Sequence, residues 1–183
     1  MARVVLINDG NLEPIKLLTK NLCKTSGINS DKIWIGDMEE SDDNISSDII
    51  VLNKINPSPA LTKAMKKTAD GGAVVLNSDE KNIAGIRMFK PVKLITYGLN
   101  PKSSVTASSI DMDGRISVQC CIQRSFENLL GDVLEPQEFL VSSGDISLNV
   151  YDVLAAVSVS LLCGASVKNF SRGYALLPVY SHV

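Results

Sequence analysis

The sequence predicts an α/β fold, a largely parallel sheet flanked by helices with a small antiparallel β extension. Over residues 1–100, apolar runs typical of buried strands alternate with helical periodicity, the pattern of a parallel sheet covered by helices. Residues 101–145 contain short strand candidates separated by Asp-Gly and Pro-containing turns, which favours antiparallel pairing. Residues 146–183 are predicted to form C-terminal helices. A chain of 183 residues accommodates these parts as a single domain.

The first hundred residues predict a regular strand and helix alternation. An apolar, β-branched run predicts the first strand over residues 3–7, and a polar turn at residues 8–11 ends it. Apolar residues then recur at helical spacing from Pro14, which suits a first helical turn, to Gly27, which suits a C-terminal cap. Further strands are predicted over residues 32–35, 48–53, 73–77 and 92–97, with a helix over residues 60–68 and a solvated acidic loop over residues 37–43.

The second part of the chain predicts short strands followed by a long helix. Strands are expected over residues 104–110, 115–122 and 138–141. Apolar residues at helical spacing follow Asn149, and Gly164 is expected to end that helix. A last short helix is predicted near residues 167–174.

Charge and residue counts exclude several classes of function. Lysine and arginine total 18 against 20 acidic residues, so the net charge is −2 and no basic face is expected for nucleic acid. The single histidine, His182, leaves hydrolytic triads and histidine-rich metal sites without their central residue. The cysteines do not form a Cys-x-x-Cys motif, and we expect them to be reduced packing residues of a cytoplasmic protein. They are Cys23, Cys120, Cys121 and Cys163.

Membrane insertion is not expected. The longest apolar stretch, residues 153–163, is interrupted by two serines and is far shorter than the roughly 20 residues that a bilayer-spanning helix needs. The apolar run at the N-terminus is also too short for a signal peptide.

Four groups of segments carry a resemblance to a known family. They are residues 71–80; residues 93–99 with 104–110; residues 144–156; and residues 163–167 with 172–179. In order and spacing they resemble the central domain of the Mur ligases and of folylpolyglutamate synthetase. Those enzymes join an amino acid to a carboxylate through an acyl phosphate made from ATP. The resemblance covers nearly the whole chain but only the central domain, so we expect the N- and C-terminal ligase domains to be absent.

The chain departs from the family where its nucleotide chemistry is concentrated. The family's first strand runs into a GTNGKT[ST] loop, whose backbone N–H groups and lysine hold the phosphates of ATP. Here the corresponding loop reads Asn-Asp-Gly-Asn-Leu-Glu-Pro over residues 8–14. The lysine position falls near Glu13, which reverses the charge, and Pro14 has no N–H to offer a phosphate. We therefore expect this loop to disfavour ATP.

Other family positions are also replaced. Asn56-Pro57 stands where the family has Asp-His, Leu148 where it has a later histidine, and Asp152 where that motif has its second asparagine. Only Asn149 of that motif is kept. No role is carried over to Lys63, which with Lys66 and Lys67 is expected to lie on the exposed face of a surface helix rather than to contact phosphate.

The candidate ligand-binding residues are Asp9, Gly10, Asn11 and Asn149. Asp9 falls at the carboxyl edge of the predicted parallel sheet, where such folds bind ligands, although Asp-Gly is also a common turn. Asn149 could meet an adenine, as the resemblance implies, or cap the long helix. No catalytic or metal-binding residue is predicted.

From these observations we expect a binding or assembly module that is linked to cell-envelope biosynthesis. We do not expect it to be catalytic on its own. It would act with a protein partner and without a cofactor. One alternative is an ATP-binding component, using ATP and magnesium, whose substrate domains come from partner chains. Minor alternatives are another small-ligand-binding α/β domain or a receiver-like domain, in which Asn53 would replace the phosphate-accepting aspartate.

Overall fold

A computed structural model describes residues 2–7, 11–37, 46–54, 56, 58–144 and 147–170. Within them the strands are β1 (Ala2–Ile7), β2 (Ile33–Asp37), β3 (Ser47–Leu52), β4 (Thr68–Asn77), β5 (Lys93–Tyr97), β6 (Val105–Asp111), β7 (Ile116–Ile122), β8 (Phe126–Glu127), β9 (Val133–Leu134) and β10 (Gln137–Ser143). The helices are α1 (Glu13–Thr25), α2 (Pro59–Lys66) and α3 (Val150–Leu162), with short 3₁₀ helices at Ser30–Lys32 and Lys81–Gly85.

Eight of the described strands form one sheet in the order β10-β7-β6-β5-β4-β3-β1-β2. The neighbours from β2 to β6 are parallel, whereas β7 is antiparallel to both β6 and β10. The parallel strands β5 and β6 meet at a single position, where Tyr97 pairs with Val105. The predicted α/β fold class with its antiparallel extension is confirmed.

Helices cover both faces of the parallel part of the sheet. Alternate residues of β3 point to opposite faces, since Ile49 and Val51 belong to the core beneath α1 and α3, whereas Ile50 and Leu52 belong to the core beneath α2. These strands therefore read as continuous apolar runs, because both of their faces are buried. The carboxyl ends of β3 and β4 are left at the same edge of the sheet.

Helix α3 lies in the larger core, with every residue from Asp152 to Leu162 buried. Its two interior serines do not leave polar groups unpaired: the hydroxyl of Ser158 donates to the carbonyl of Leu154 at 2.8 Å, and that of Ser160 to Ala156 at 2.7 Å. None of the helices in the described part of the chain has the length and apolar character needed to span a bilayer.

Most of the predicted elements are present, but the two 3₁₀ helices were not predicted, and other regions also differ. Strand β4 begins at Thr68 and not at residue 73, where the strand was predicted to begin, so Gly71 and Gly72 lie inside it. The β8–β9 hairpin was not predicted. Residues 167–170, at the start of the predicted last helix, form a 3₁₀ turn. The rest of that helix lies outside the described residues, and so do residues 38–43, which are most of the predicted acidic loop. Gly27 and Gly164 follow the ends of α1 and α3, as predicted.

Candidate functional site

A cleft of about 190 Å³ lies where the segments after β3 and β4 meet the N-terminus of α3. Open α/β sheets bind ligands at the carboxyl ends of their strands, which is where this cleft lies. The described residues that line it are Asn53, Lys54, Asn77, Asp79, Glu80, Asn149 and Tyr151.

Buried amides form the inner wall of the cleft. The hydroxyl of Tyr97 donates to Asn53 Oδ1 at 2.8 Å, and Asn53 Nδ2 donates to Asp152 Oδ1 at 3.3 Å. Asn77 Nδ2 donates to the main-chain carbonyl of Asn53 at 3.2 Å. Burial, reinforced by the charges of Asp152 and Glu80, raises the pKa of Tyr97 well above its ordinary value, so this hydroxyl stays protonated as a donor. The wall is thus held by side-chain bonds between β3, β4, β5 and α3.

Asn149 lines the cleft and also caps α3. Its Oδ1 accepts from the N–H groups of Tyr151 at 2.8 Å and Asp152 at 3.1 Å. Asp152 Oδ2 accepts in return from the N–H of Asn149 at 3.1 Å, which completes a capping box. The capping role that the sequence allowed is therefore present, and it uses the side-chain oxygen of Asn149.

Asp79 lies at the outer side of the cleft and is held by several donors. Its Oδ2 accepts from the N–H of Leu99 at 2.6 Å, and its Oδ1 from Asn100 Nδ2 at 2.8 Å. Partial burial acts to raise the pKa of Asp79, but these bonds and one from the Tyr151 hydroxyl lower it overall. For Tyr151, desolvation and the neighbouring Asp79 charge raise the pKa. Asp79 is thus an ionised carboxylate at neutral pH.

The described residues that line the cleft carry more negative than positive charge. Asp79 and Glu80 are acidic, and Lys54 is the basic residue among the described lining residues. Glu80 also caps the second 3₁₀ helix, since its Oε1 accepts from the N–H of Lys81 at 3.0 Å. Among the described residues, no group of three His, Cys, Asp or Glu side chains is placed to hold a metal ion.

The start of α1, from Asn11 onward, is held by hydrogen bonds among its own residues. Asn11 Oδ1 accepts from the N–H of Glu13 at 3.0 Å, and the carbonyl of Leu12 accepts from the N–H of Lys16 at 3.0 Å. Pro14, between them, has no N–H. The Glu13 carboxylate lies 3.1 Å from Lys16 Nζ, so the nearest ammonium on this helix turn is already paired. Of the described N–H groups at this turn, those of Glu13 and Lys16 are therefore already hydrogen-bonded.

The four predicted site residues have different outcomes. Asp9 and Gly10 lie outside the described residues. Asn11 is exposed at the start of α1 and is not among the described residues that line the cleft, whereas Asn149 is.

Most of the residues that line the cleft were not predicted from the sequence. Asn53 and Asn77 each follow an apolar run at the carboxyl end of a predicted strand, and that shared position was a signal that could have identified them. Asp79 and Tyr151 lay within the segments that carried the family resemblance, but no role was assigned to them.

No protein-family model and no curated protein sequence matches the chain. Solved structures do. MurF from Acinetobacter baumannii matches 98% of this chain and 47% of its own, with a TM-score of 0.65 and 11% identity. The murein peptide ligase Mpl from Psychrobacter arcticus matches 96% of this chain and 46% of its own, with a TM-score of 0.66 and 12% identity.

Folylpolyglutamate synthetase from Lactobacillus casei gives a TM-score of 0.61 at 8% identity, over 96% of this chain and 62% of its own. This chain thus spans about half the length of the two murein ligases. At these identities the likeness concerns the fold. The resemblance seen in the sequence motifs is confirmed at that level: the chain has the fold found in Mur ligases and folylpolyglutamate synthetase.

Proposed function

We propose that this chain is a Mur ligase-like module that has lost ATP-dependent amide ligation and serves as a binding or assembly module. The observation that carries the proposal is the start of α1. There the Glu13 N–H is bonded to Asn11, Pro14 offers no N–H, and a carboxylate stands near the position of the family's phosphate-binding lysine.

The size and charge of the cleft support the same function. Its volume of about 190 Å³ is below the roughly 300 Å³ at which pockets for small molecules begin. Two carboxylates and one ammonium among its described lining residues would repel a triphosphate on balance. A nucleotide would therefore meet a small, net acidic site.

The setting that we propose is cell-envelope biosynthesis, with a protein as the partner. The murein peptide ligase among the similar structures supports this setting through its name. A module that does not bind phosphate would function by binding another protein, so its role would depend on that partner.

Calorimetric titration with ATP and magnesium tests the proposal directly. We expect no heat of binding for the natural protein. The Glu13→Lys variant restores the charge of the family's lysine, and Glu13→Gln serves as its matched control by removing the negative charge alone. Magnesium-dependent binding of ATP to the natural protein in the micromolar range would overturn the proposal.

A second candidate is an ATP-binding component that receives its substrate domains from partner chains. The position of Asn149 in a cleft at the carboxyl edge of the sheet favours it. In that case ATP turnover would arise when the protein is mixed with its co-purified partners, and Asn149→Ala would abolish it. No turnover in that mixture would count against this candidate.

The receiver-like alternative has less support. The order β2-β1-β3-β4-β5 does match the doubly wound order of such domains. However, Asn53 is an amide, is buried and is bonded to Tyr97 and Asp152, which leaves the phosphate-accepting position without an accessible carboxylate. Strands β6, β7 and β10 would also have no counterpart.

A further inference from the structure

A second groove lies on the face of the sheet that α2 covers, and it shares no described residue with the cleft at the carboxyl edge. It runs between α2 and the segment that follows the 3₁₀ helix Lys81–Gly85, with a volume of about 290 Å³. The apolar residues Leu61, Met65 and Ile86 line it, together with the residues named next. Its other described lining residues are Ser58, Thr62, Lys66, Gly85, Arg87 and Phe89.

Two basic residues are among the described residues that line this groove. Lys66 and Arg87 line it from opposite sides, and the Lys66 ammonium lies 5.3 Å from the centroid of the Phe89 ring. The nearby carboxylate of Asp70 is paired with Lys90 Nζ at 3.0 Å. In a chain with a net charge of −2, this is a local concentration of positive charge.

Two large apolar side chains stand exposed beside the basic residues. Met88 is 40% exposed and Phe89 is 41% exposed, and they are consecutive in the segment that forms one side of the groove. Aromatic, methionine and arginine side chains are enriched where proteins bind one another. An apolar depression with an exposed aromatic residue and a basic border therefore has the composition of a docking surface rather than of a solvated helix face.

We propose that this groove docks an acidic segment of a protein partner. One apolar side chain of the segment lies on Leu61, Met65 and Ile86, and flanking carboxylates pair with Lys66 and Arg87. Charge complementarity selects an acidic partner, and a volume near the lower limit for small-molecule pockets suits a single side chain. This inference rests on the proposed function as a binding module and names the surface through which it acts.

The test uses fluorescence anisotropy with a fluorescein-labelled peptide of about twelve residues, in which one phenylalanine is flanked by glutamates. We expect saturable binding that weakens as salt is raised from about 0.05 M to about 0.5 M. The double variant Lys66→Glu with Arg87→Glu is expected to bind at least about tenfold more weakly, because like charges then face each other. The double variant Lys102→Glu with Arg124→Glu makes the same charge change at exposed positions outside the groove and should bind like the natural protein.

Two further peptides separate the apolar and charged contributions. Replacing the peptide's glutamates by glutamine, or its phenylalanine by alanine, should each weaken binding. Absence of binding, or equal loss in both double variants, would overturn the proposal. Displacement of the peptide by a single-stranded oligonucleotide or by anionic lipid vesicles at equal charge would also overturn it, in favour of a general polyanion surface.

The two proposals fail in distinguishable ways. Micromolar ATP binding would overturn the loss of nucleotide function but would leave the difference between the two double variants untouched. Loss of that difference, with no ATP binding, would overturn the docking surface alone.

Discussion

The side-chain amide of Asn53 donates to the carboxylate of Asp152 at 3.3 Å, across 99 positions of the sequence. The bond joins the segment after β3 to the first turn of α3. Because the other side of the same amide accepts from Tyr97, one asparagine connects β3, β5 and α3 at the inner wall of the cleft.

Replacing Asn53 by alanine should lower the free energy of unfolding by about 2–3 kcal/mol, because the Tyr97 hydroxyl and the Asp152 carboxylate each lose a buried partner. Urea denaturation measures this loss. Tyr97→Phe removes only the donor and should cost about 1 kcal/mol. An equal loss for the two variants would contradict the bridging role of Asn53.

Asn149→Ala should destabilise the protein by about 1 kcal/mol, because two N–H groups of the first turn of α3 lose their acceptor. Asn149→Ser keeps an N-cap oxygen and should retain most of the stability. Thermal unfolding of the two variants provides the comparison. If both were equally destabilised, the importance of Asn149 would lie elsewhere than in the cap.

Because Asp79 accepts several hydrogen bonds, we expect the free energy of unfolding to depend on pH in the acid range. Its pKa in the folded protein is below the ordinary value of 3.8, so the unfolded chain takes up the proton first. The stability that this ionised group provides is therefore complete above 3.8 and is lost as the pH falls below it, through the lower pKa of the folded protein. The urea concentration at the midpoint of unfolding should decrease as the pH is lowered from about 5 to about 2. The Asp79→Asn variant should show a smaller decrease over the same range. Superimposable profiles would show that Asp79 does not contribute.

Gly98→Ala should be destabilising because the backbone at Gly98 packs directly against the turn after β4. A Cβ at this position would lie 2.8 Å from both Ser78 Oγ and Asp79 Oδ2, so these two hydrogen-bonded side chains would have to move. We expect a loss of about 1–3 kcal/mol by urea denaturation. Gly144→Ala meets nothing within 4 Å and is the matched control, expected to change stability little. Equal effects would exclude the steric cause.

Cys121 should be the first of the described thiols to react with iodoacetamide, because it is partly exposed whereas Cys23, Cys120 and Cys163 are buried. Burial and the Glu138 charge raise the pKa of Cys121, so its labelling should accelerate with increasing pH. Mass spectrometry of the native protein identifies the labelled site, and Cys121→Ser should remove the fast phase. Labelling of Cys120 at the same rate would contradict this assignment.

Elements with a clear apolar pattern could be predicted from the sequence, whereas elements without such a pattern could not. The strands β1 and β3 and the helix α3 were predicted because their apolar residues form unbroken or helical patterns. The hairpin of β8 and β9 has two-residue strands with no pattern to detect, and Lys93 anchors it by donating to Glu127 and to the carbonyl of Asn128.

Strand β4 was predicted to begin at residue 73, after Gly71 and Gly72, because glycine usually weakens a strand. A Cβ on Gly72 would lie 2.8 Å from the carbonyl oxygen of Asp48, so this glycine allows two strands to approach closely. The site residues were harder to predict than the fold, because their roles depend on contacts between elements that are far apart in the sequence. Asn149 was identified from a local motif, but the roles of Asn53 and Asn77 depend on which strands are neighbours and where α3 begins.

The position of α3 has a consequence for how the protein is made. Its residues, 150–162, complete the apolar layer over strands that begin at residue 2, and they pack against α1 near the start of the chain. During synthesis, the first five strands leave the ribosome well before the helix that covers one of their faces. A nascent chain arrested before residue 150 should remain sensitive to protease, and one arrested after α3 has emerged should resist it. Until α3 has emerged from the ribosome, this apolar face of the sheet is uncovered and accessible to chaperones that bind nascent chains.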